Sequence, residues 1–215
     1  MKIVSNILIF IVLTILTQIG GLVFLLCILL YPYIIKKTSN RVIRIIMKLL
    51  LFLASYLAIS FTIIPYIAEK FGRVPLPMIK SENGISPNNI STCLLNRQYV
   101  RKDMLVALNR ISQNIKKQNG AVSIYYLDAC FPFVNGFPLL PHWSHNDGKK
   151  LDLTYYYFDK KTKTEIPGSP SWIGYGFCEG PTQNEVCTTC ECEKKGFYQY
   201  DMLRHIVPSH LHNLY

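Results

Sequence analysis

The stretch Pro141–Tyr157, PHWSHNDGKKLDLTYYY, concentrates ionisable side chains just before a run of strand-forming residues. It contains His142 and His145, two of only five histidines in a chain of 215 residues. The other three all lie within the last eleven residues: His205, His210 and His212. Because scattered surface histidines would not divide in this way, the two clusters predict a single site in the folded chain.

The spacing inside this stretch is typical of ligands for one metal ion. His145 and Asp152 are seven positions apart, so a loop that turns at Gly148 can bring both side chains together. On a strand, alternation puts Asp152 on one face and the neighbouring leucines on the other. Catalytic zinc takes three protein ligands and leaves a fourth position for water. Asp147, two residues from His145, is a weaker alternative to Asp152 as the carboxylate ligand.

The end of the chain predicts the remaining groups of such a site. His210 and His212 are two apart on a predicted strand, so both point to one face. One of them can bind a metal while the other reaches the metal-bound water. Trp143, between two site histidines, is a candidate for substrate contact.

Together these motifs, His-x6-Asp followed by His-x-His, resemble the LAS group of zinc peptidases. That group is named for lysostaphin, the D-alanyl-D-alanine metallopeptidases and the hedgehog signalling domain. The segment YLDACFPFVNGFPLLPHWSHNDGKKLDLTYYY is similar to a region of penicillin-insensitive murein endopeptidase. The resemblance covers residues 125–158 and 205–212. It implies an α+β fold, in which a small LAS-like domain has a central antiparallel sheet that carries the metal site.

The resemblance also implies roles for individual residues. His145, Asp152 and His212 would bind one Zn2+ per chain, and His210 would hold or deprotonate the attacking water. His142 and His205 would lie near substrate or oxyanion. The implied activity is hydrolysis of an amide bond in peptidoglycan peptides. The alternative function is a non-catalytic, metal-containing binding or scaffolding module at the cell surface, but a pure binder does not need a base such as His210.

Two uncharged segments, Ile3–Ile35 and Leu49–Ala68, predict a membrane anchor of two transmembrane helices over residues 1–70. The first is too long for the apolar core of a signal peptide. A buried hairpin of core helices would leave more apolar surface than a small domain can cover. Neither segment contains a charged residue, which favours an anchor over a transporter.

Charge predicts the orientation of this anchor. The loop KKTSNRVIRIIMK carries five basic residues, which indicates that it is cytoplasmic and that both termini are outside. The catalytic domain would then be extracytoplasmic, at the cell (inner) membrane. The net charge of +10 divides into +6 for residues 1–70 and +4 for residues 71–215. That balance reflects membrane topology, and no nucleic-acid-binding motif is present.

Changes in composition after residue 70 predict how the remainder of the chain is organised. Residues 71–96, rich in Pro, Asn and Ser, predict a linker, and residues 97–215 the metallopeptidase-like domain. Within that domain we expect a helix over 97–117 and strands over 121–129 and 150–158. The aromatic run Tyr155–Phe158 fits a half-buried strand better than a sugar-stacking face.

Six cysteines outside the apolar segments are expected to form disulfides in an oxidising compartment. They are Cys93, Cys130, Cys178, Cys187, Cys190 and Cys192. Cys187, Cys190 and Cys192 lie close together in a cysteine-rich insertion over residues 160–196, with Cys178 upstream, so a second zinc site there is the alternative.

Overall fold

The structure is a computed structural model that describes residues 2–119, 122–159, 162, 164–171, 174–175, 184 and 186. It begins with helices α1 (Lys2–Thr17), α2 (Gly20–Ile35), α3 (Arg41–Ala58) and α4 (Ile64–Lys70), the last two joined by a π-helical turn at Ile59–Ile63. A mixed domain follows, with β1 (Arg73–Pro75), β2 (Ile85–Pro87), α5 (Ile90–Leu94), β3 (Tyr99–Arg101), α6 (Lys102–Asn119), β4 (Ile124–Tyr126), β5 (Tyr157–Phe158) and β6 (Glu165–Ile166). The expected combination of helices and strands is confirmed at this level.

The first apolar segment is not one helix, which corrects the prediction of a single span over Ile3–Ile35. A helix of 33 residues would be about 50 Å long, well beyond a bilayer core of about 30 Å. The structure divides it at Gln18, whose φ of 65° ends α1. Among the described helices, only the continuous run Arg41–Lys70, with 30 residues, is long and apolar enough to cross a membrane; α1 and α2 are shorter apolar helices.

Helices α1 and α2 pack closely because glycines begin α2. A Cβ atom at Gly21 would lie 2.0 Å from Thr14 Oγ1 and 2.7 Å from the Phe10 carbonyl oxygen. Helix α2 in turn packs antiparallel to α3. Lys48 Nζ lies 4.9 Å from the ring centroid of Tyr31 near one end, and the Phe24 and Phe52 ring centroids are 6.4 Å apart nearer the other.

The turn between α1 and α2 contacts the mixed domain. The buried Gln18 side chain accepts a hydrogen bond through Oε1 from the Phe133 backbone N–H at 2.9 Å. Ile19, at the same turn, joins a buried cluster that includes Ala68 of α4 and Tyr99 of β3. The N-terminus and the basic 36–40 loop therefore lie together at the far end of the helices. This differs from the expected arrangement, in which the N-terminus and that loop are on opposite sides.

Residues 71–96 belong to the packed domain and are not the expected linker. Strand β1 pairs antiparallel with β3, and β2 pairs parallel with β4. Leu76, Ile85 and Cys93 are fully buried in the main core cluster. The Asn and Pro residues misled the prediction because they cap and separate short elements; Asn89, for example, caps α5 through its side chain.

Helix α6 is confirmed, shifted from the predicted residues 97–117 to Lys102–Asn119. Leu108 and Ser112, four residues apart, are buried against the core, and Met104, Leu105 and Ile115 are partly buried there. Ile111 is 52% exposed, although it lies three residues after the buried Leu108. The exposed Ile111 side chain therefore lies off the core-facing stripe of the helix.

The strands are shorter than predicted and form three two-stranded ladders, β1–β3, β2–β4 and β5–β6. No single central antiparallel sheet occurs within the described residues. The predicted strand over 150–158 nevertheless pairs antiparallel beside β4 in part. The Thr154 backbone N–H donates to the Tyr125 carbonyl at 2.9 Å, and Tyr126 and Leu153 form an isolated bridge.

Two cysteines expected in disulfides, Cys93 and Cys130, are buried free thiols. Cys93 Sγ lies 3.3 Å from the Tyr126 hydroxyl, within the main core cluster. Burial raises the pKa of both thiols, which favours their protonated forms. The other four disulfide candidates, Cys178, Cys187, Cys190 and Cys192, lie outside the described residues.

Candidate metal centre

Two carboxylates lie side by side where the chain leaves β4 and returns after the histidine loop. The Asp152 backbone N–H donates to the Asp128 carbonyl at 2.9 Å, and the Leu127 N–H donates to the Asp152 carbonyl at 2.8 Å. These antiparallel contacts fix Asp128 and Asp152 on adjacent extended segments. The loop of residues 130–150 brings the two histidines of PHWSH back over this pair.

The two imidazoles are held one turn apart. The His145 backbone N–H donates to the His142 carbonyl at 3.0 Å, and the two ring centroids are 5.4 Å apart. Both rings contact the Asp152 carboxylate. His145 Nε2 lies 3.1 Å from Oδ1, and His142 Nδ1 lies 3.4 Å from Oδ2.

His145 is oriented by the backbone. It is 5% exposed, and its Nδ1 lies 2.9 Å from the Ala129 carbonyl oxygen. A carbonyl only accepts, so Nδ1 carries a proton and Nε2 points its lone pair or second proton at Asp152. Burial works to lower the pKa of His145, but the hydrogen bond and charge of Asp152 outweigh it and raise the pKa.

Asp152 is the common partner of the site. Besides the two imidazoles, it accepts a hydrogen bond through Oδ2 from the Tyr175 hydroxyl at 2.7 Å. The Tyr175 ring also stacks on His142, with centroids 5.1 Å apart and an interplanar angle of 26°. Burial works to raise the pKa of Asp152, but the hydrogen bonds from His145 and Tyr175 outweigh it and lower the pKa.

Arg97 and Asp128 form an ion pair beside the Nε2 atom of His142. Arg97 Nη2 donates to Asp128 Oδ2 at 3.0 Å, and Arg97 Nε lies 2.9 Å from Oδ1 in an ion-pair contact that lacks hydrogen-bond geometry. Asp128 Oδ2 is 3.6 Å from His142 Nε2, which is an electrostatic distance and not a hydrogen bond. Burial raises the pKa of Asp128 against the effect of Arg97, and burial lowers the pKa of His142.

Three of these residues, Arg97, Asp128 and Tyr175, were not identified from the sequence. An acid within the apolar run IYYLDACF was a signal for Asp128, because a buried carboxylate requires a charged partner. Arg97 and Tyr175 come from distant segments, and no local pattern marks either of them.

His142, His145 and Asp152 form a cluster that can hold a metal ion. One potential ligand atom from each residue lies within 4.8 Å of the others. His145 and Asp152 were both predicted as ligands. His142 was predicted only as a residue near substrate, but the structure brings it as close to Asp152 as a ligand would be.

The other predicted site residues lie outside this three-residue cluster or outside the described part of the chain. Asp147 does not join the cluster, because its Oδ1 accepts from the Lys149 backbone N–H at 2.9 Å in a local turn. That hydrogen bond lowers the pKa of Asp147. Trp143 is 67% exposed beside the two histidines. The predicted roles of His205, His210 and His212 concern residues outside the described part of the chain.

A buried arginine supports the loop that carries the histidines. The Arg73 side chain, 1% exposed, donates to the Phe131 carbonyl, to Asn135 Oδ1 at 2.5 Å and to the Asn146 carbonyl at 3.3 Å. Burial lowers the pKa of its guanidinium. The predicted turn at Gly148 is confirmed, with φ of 76°. Arg73 thus ties both ends of the histidine loop to β1.

A cleft of about 420 Å3 opens beside the cluster, between α6 and residues 149–153. His145 and Asp152 contribute to its lining, together with apolar side chains of α6 and two lysines. Two residues of the cluster therefore line a groove with an apolar wall.

Scans against protein-family models, curated proteins and solved structures found no match to this chain.

Proposed function

We propose that this protein is a membrane-anchored, zinc-dependent hydrolase that cleaves an amide bond, with peptidoglycan peptides as substrate. The observation that carries the proposal is the convergence of His142, His145 and Asp152 beside a cleft whose lining includes His145 and Asp152. The resemblance of the histidine motifs to LAS peptidases supplies the reaction class. The exposed apolar run Arg41–Lys70 supports the anchor.

The donor set fits zinc in composition and spacing. Two imidazoles and one carboxylate are a common ligand set of catalytic zinc, and ligand atoms around tetrahedral zinc are separated by about 3.4 Å. The two histidine–Asp152 contacts measure 3.1 Å and 3.4 Å but end on different oxygens of Asp152, and one ligand atom from each of the three residues lies within 4.8 Å of the others. The three donors must therefore move closer together to hold such an ion.

The surrounding residues act by positioning these donors. The Ala129 carbonyl fixes the tautomer of His145, leaving Nε2 directed at the site. The Tyr175 hydroxyl holds Asp152 Oδ2, and the Arg97–Asp128 pair places a negative charge behind His142. Zinc in such a site polarises a carbonyl and lowers the pKa of bound water to about 7. His210, carried over from the resemblance, is the proposed base.

The third ligand, a histidine, has two candidates. His142 is supported by its distance to Asp152, and His212 by the resemblance. A site with both is a closed set of four donors, whereas a site with one keeps a position for water.

The activity is testable on the full-length protein in a mild detergent. Purified peptidoglycan is incubated with the zinc-loaded protein, and newly exposed amino groups are counted by mass spectrometry of the released fragments. We expect cleavage that is abolished by a chelator and by Asp152→Ala, and retained by Asp103→Asn, which alters an aspartate that belongs neither to the cluster nor to the cleft lining. Metal binding without any release of peptide fragments would refute the hydrolase and favour the non-catalytic binding module.

A further inference from the structure

The cleft beside the cluster has an apolar wall, part of which also packs against the core. Helix α6 contributes Met104, Ala107, Leu108 and Ile111 to its lining. Ile111 is 52% exposed, and Leu153, across the cleft, is 45% exposed. Both side chains line the same cavity as His145 and Asp152, so an apolar group that enters here is brought next to the cluster.

The rim of the cleft is positively charged. Lys149 and Lys150 are both exposed lining residues, and Asp152 is the one acidic side chain among the described lining residues. Asp152 is already engaged by His145 and Tyr175. Lys150 Nζ donates to the Ser144 carbonyl at 2.9 Å, which leaves Lys149 as the cation with more freedom to meet a ligand.

The position of Lys149 is set by the backbone. The Lys149 N–H donates to Asp147 Oδ1, and the neighbouring Gly148 carbonyl accepts from the Arg101 N–H at 2.8 Å. The backbone of this cleft-lining lysine is thus held by a structured turn, and its exposed side chain can be changed without removing these contacts.

We propose that this cleft binds the substrate and selects a peptide that carries an apolar side chain followed by a carboxylate. The apolar side chain lies against Ile111 and Leu153, and the carboxylate pairs with Lys149. This inference adds a substrate preference to the proposed hydrolase, and it rests on that proposed function for the cleavage of the bound peptide. Binding in the cleft itself uses contacts with α6 and the lysine turn, so it is measurable without the metal.

The test measures peptide binding to the full-length protein in neutral detergent with a chelator present, which prevents hydrolysis. The probes are three fluorescein-labelled tetrapeptides, Ala-Leu-Glu-Ala, Ala-Leu-Lys-Ala and Ala-Ser-Glu-Ala, and the readout is fluorescence anisotropy at low salt. We expect the Leu-Glu peptide to bind most tightly. Equal binding of the three peptides would overturn the proposal.

Two pairs of variants assign the binding to the cleft. Ile111→Glu places a charge on the apolar wall, whereas Val106→Glu makes the same change at another exposed position of α6 that is not part of the cleft lining. We expect Ile111→Glu to weaken binding of the Leu-Glu peptide about tenfold or more, because an apolar contact is replaced by a carboxylate. Val106→Glu should leave the binding affinity unchanged.

Lys149→Glu is compared with Lys80→Glu, which reverses an exposed charge away from the cleft. We expect Lys149→Glu alone to favour the Leu-Lys peptide over the Leu-Glu peptide, by about fivefold. An unchanged preference would overturn the role of Lys149. Selective peptide binding by a chain that holds no metal would support the cleft and reject the hydrolase, whereas zinc-dependent release of peptidoglycan fragments without discrimination among the three peptides would reject the cleft and support the hydrolase.

Discussion

Asp128 places a largely shielded carboxylate between an arginine and a histidine, with 14% of its side chain exposed. Its carboxylate pairs with Arg97 on one side and faces His142 on the other. It contributes no atom to the three-residue metal cluster. We infer that Asp128 positions the His142 ring and makes it a better metal ligand.

Replacing this charge tests the positioning role. We expect Asp128→Asn to weaken zinc binding about tenfold or more, because the ring of His142 loses the anion behind it. The measurement is competition for zinc against a chelating dye, with folding followed by circular dichroism. Asp103→Asn, at the first turn of α6, is the matched control and should bind zinc as the wild type does. Unchanged affinity in folded Asp128→Asn would contradict the role.

For individual residues, the sequence predicted part of the candidate site. His145 and Asp152 were identified because their spacing, with a glycine between them, is a local pattern. Asp128, Arg97 and Tyr175 could not be predicted as partners, because their contacts depend on how three separate segments pack. The position of His142 also follows from packing, since nothing in PHWSH distinguishes a ligand from a neighbour.

Gly148 is the point at which the histidine loop turns into the extended segment with Asp152. Its φ of 76° is unfavourable for residues with a Cβ atom, and that atom would lie 3.3 Å from the Arg101 backbone nitrogen. Gly136 has a similar φ of 83°, but a Cβ atom there would have no neighbour within 4 Å. The two glycines thus share the backbone cost and differ in the available space.

We expect Gly148→Ala to lower the free energy of unfolding more than Gly136→Ala does, by about 1 kcal/mol. The additional loss arises because the Arg101 backbone must move to accept the methyl group. Chemical denaturation of the two variants beside the wild type measures the difference. Equal destabilisation would show that the turn has room, and that Gly148 is needed for its φ alone.

At the level of elements, helices were predicted better than strands or connections. Helix α6 was found because its apolar residues recur at helical spacing. The strands are only two or three residues long, and such short runs are hard to separate from loops. The segment 71–96 was misjudged because its few apolar residues, such as Leu76 and Ile85, are spread among turn formers although each is buried. The division at Gln18 was signalled only by the polar residue and the Gly20–Gly21 pair.

The arrangement of the four N-terminal helices fixes where the site lies. Contacts between Gln18 and Phe133 hold the turn of α1 and α2 against the mixed domain. In a membrane, the N-terminus and the basic 36–40 loop would then share one side, with the metal site near the other. This agrees with the preference of basic residues for the cytoplasmic side, since Lys2 joins the positive charges of the loop.

This topology is tested with epitope tags at the N-terminus and between Thr38 and Ser39. Protease is added to sealed membrane vesicles of known orientation, and both tags are followed by immunoblotting. We expect the two tags to be cleaved together in inside-out vesicles and protected together in right-side-out vesicles. Cleavage of one tag without the other would contradict the hairpin and restore a single first span.

The central claim, a zinc ion held by His145 and Asp152, is tested most directly by the metal content of the purified full-length protein. Elemental analysis should give about one zinc per chain, lost in Asp152→Ala and His145→Ala and kept in Asp147→Ala and Cys190→Ala. Loss in His142→Ala or in His212→Ala would identify the third ligand. No zinc in the folded wild-type protein, or zinc lost only in Cys190→Ala, would contradict the account.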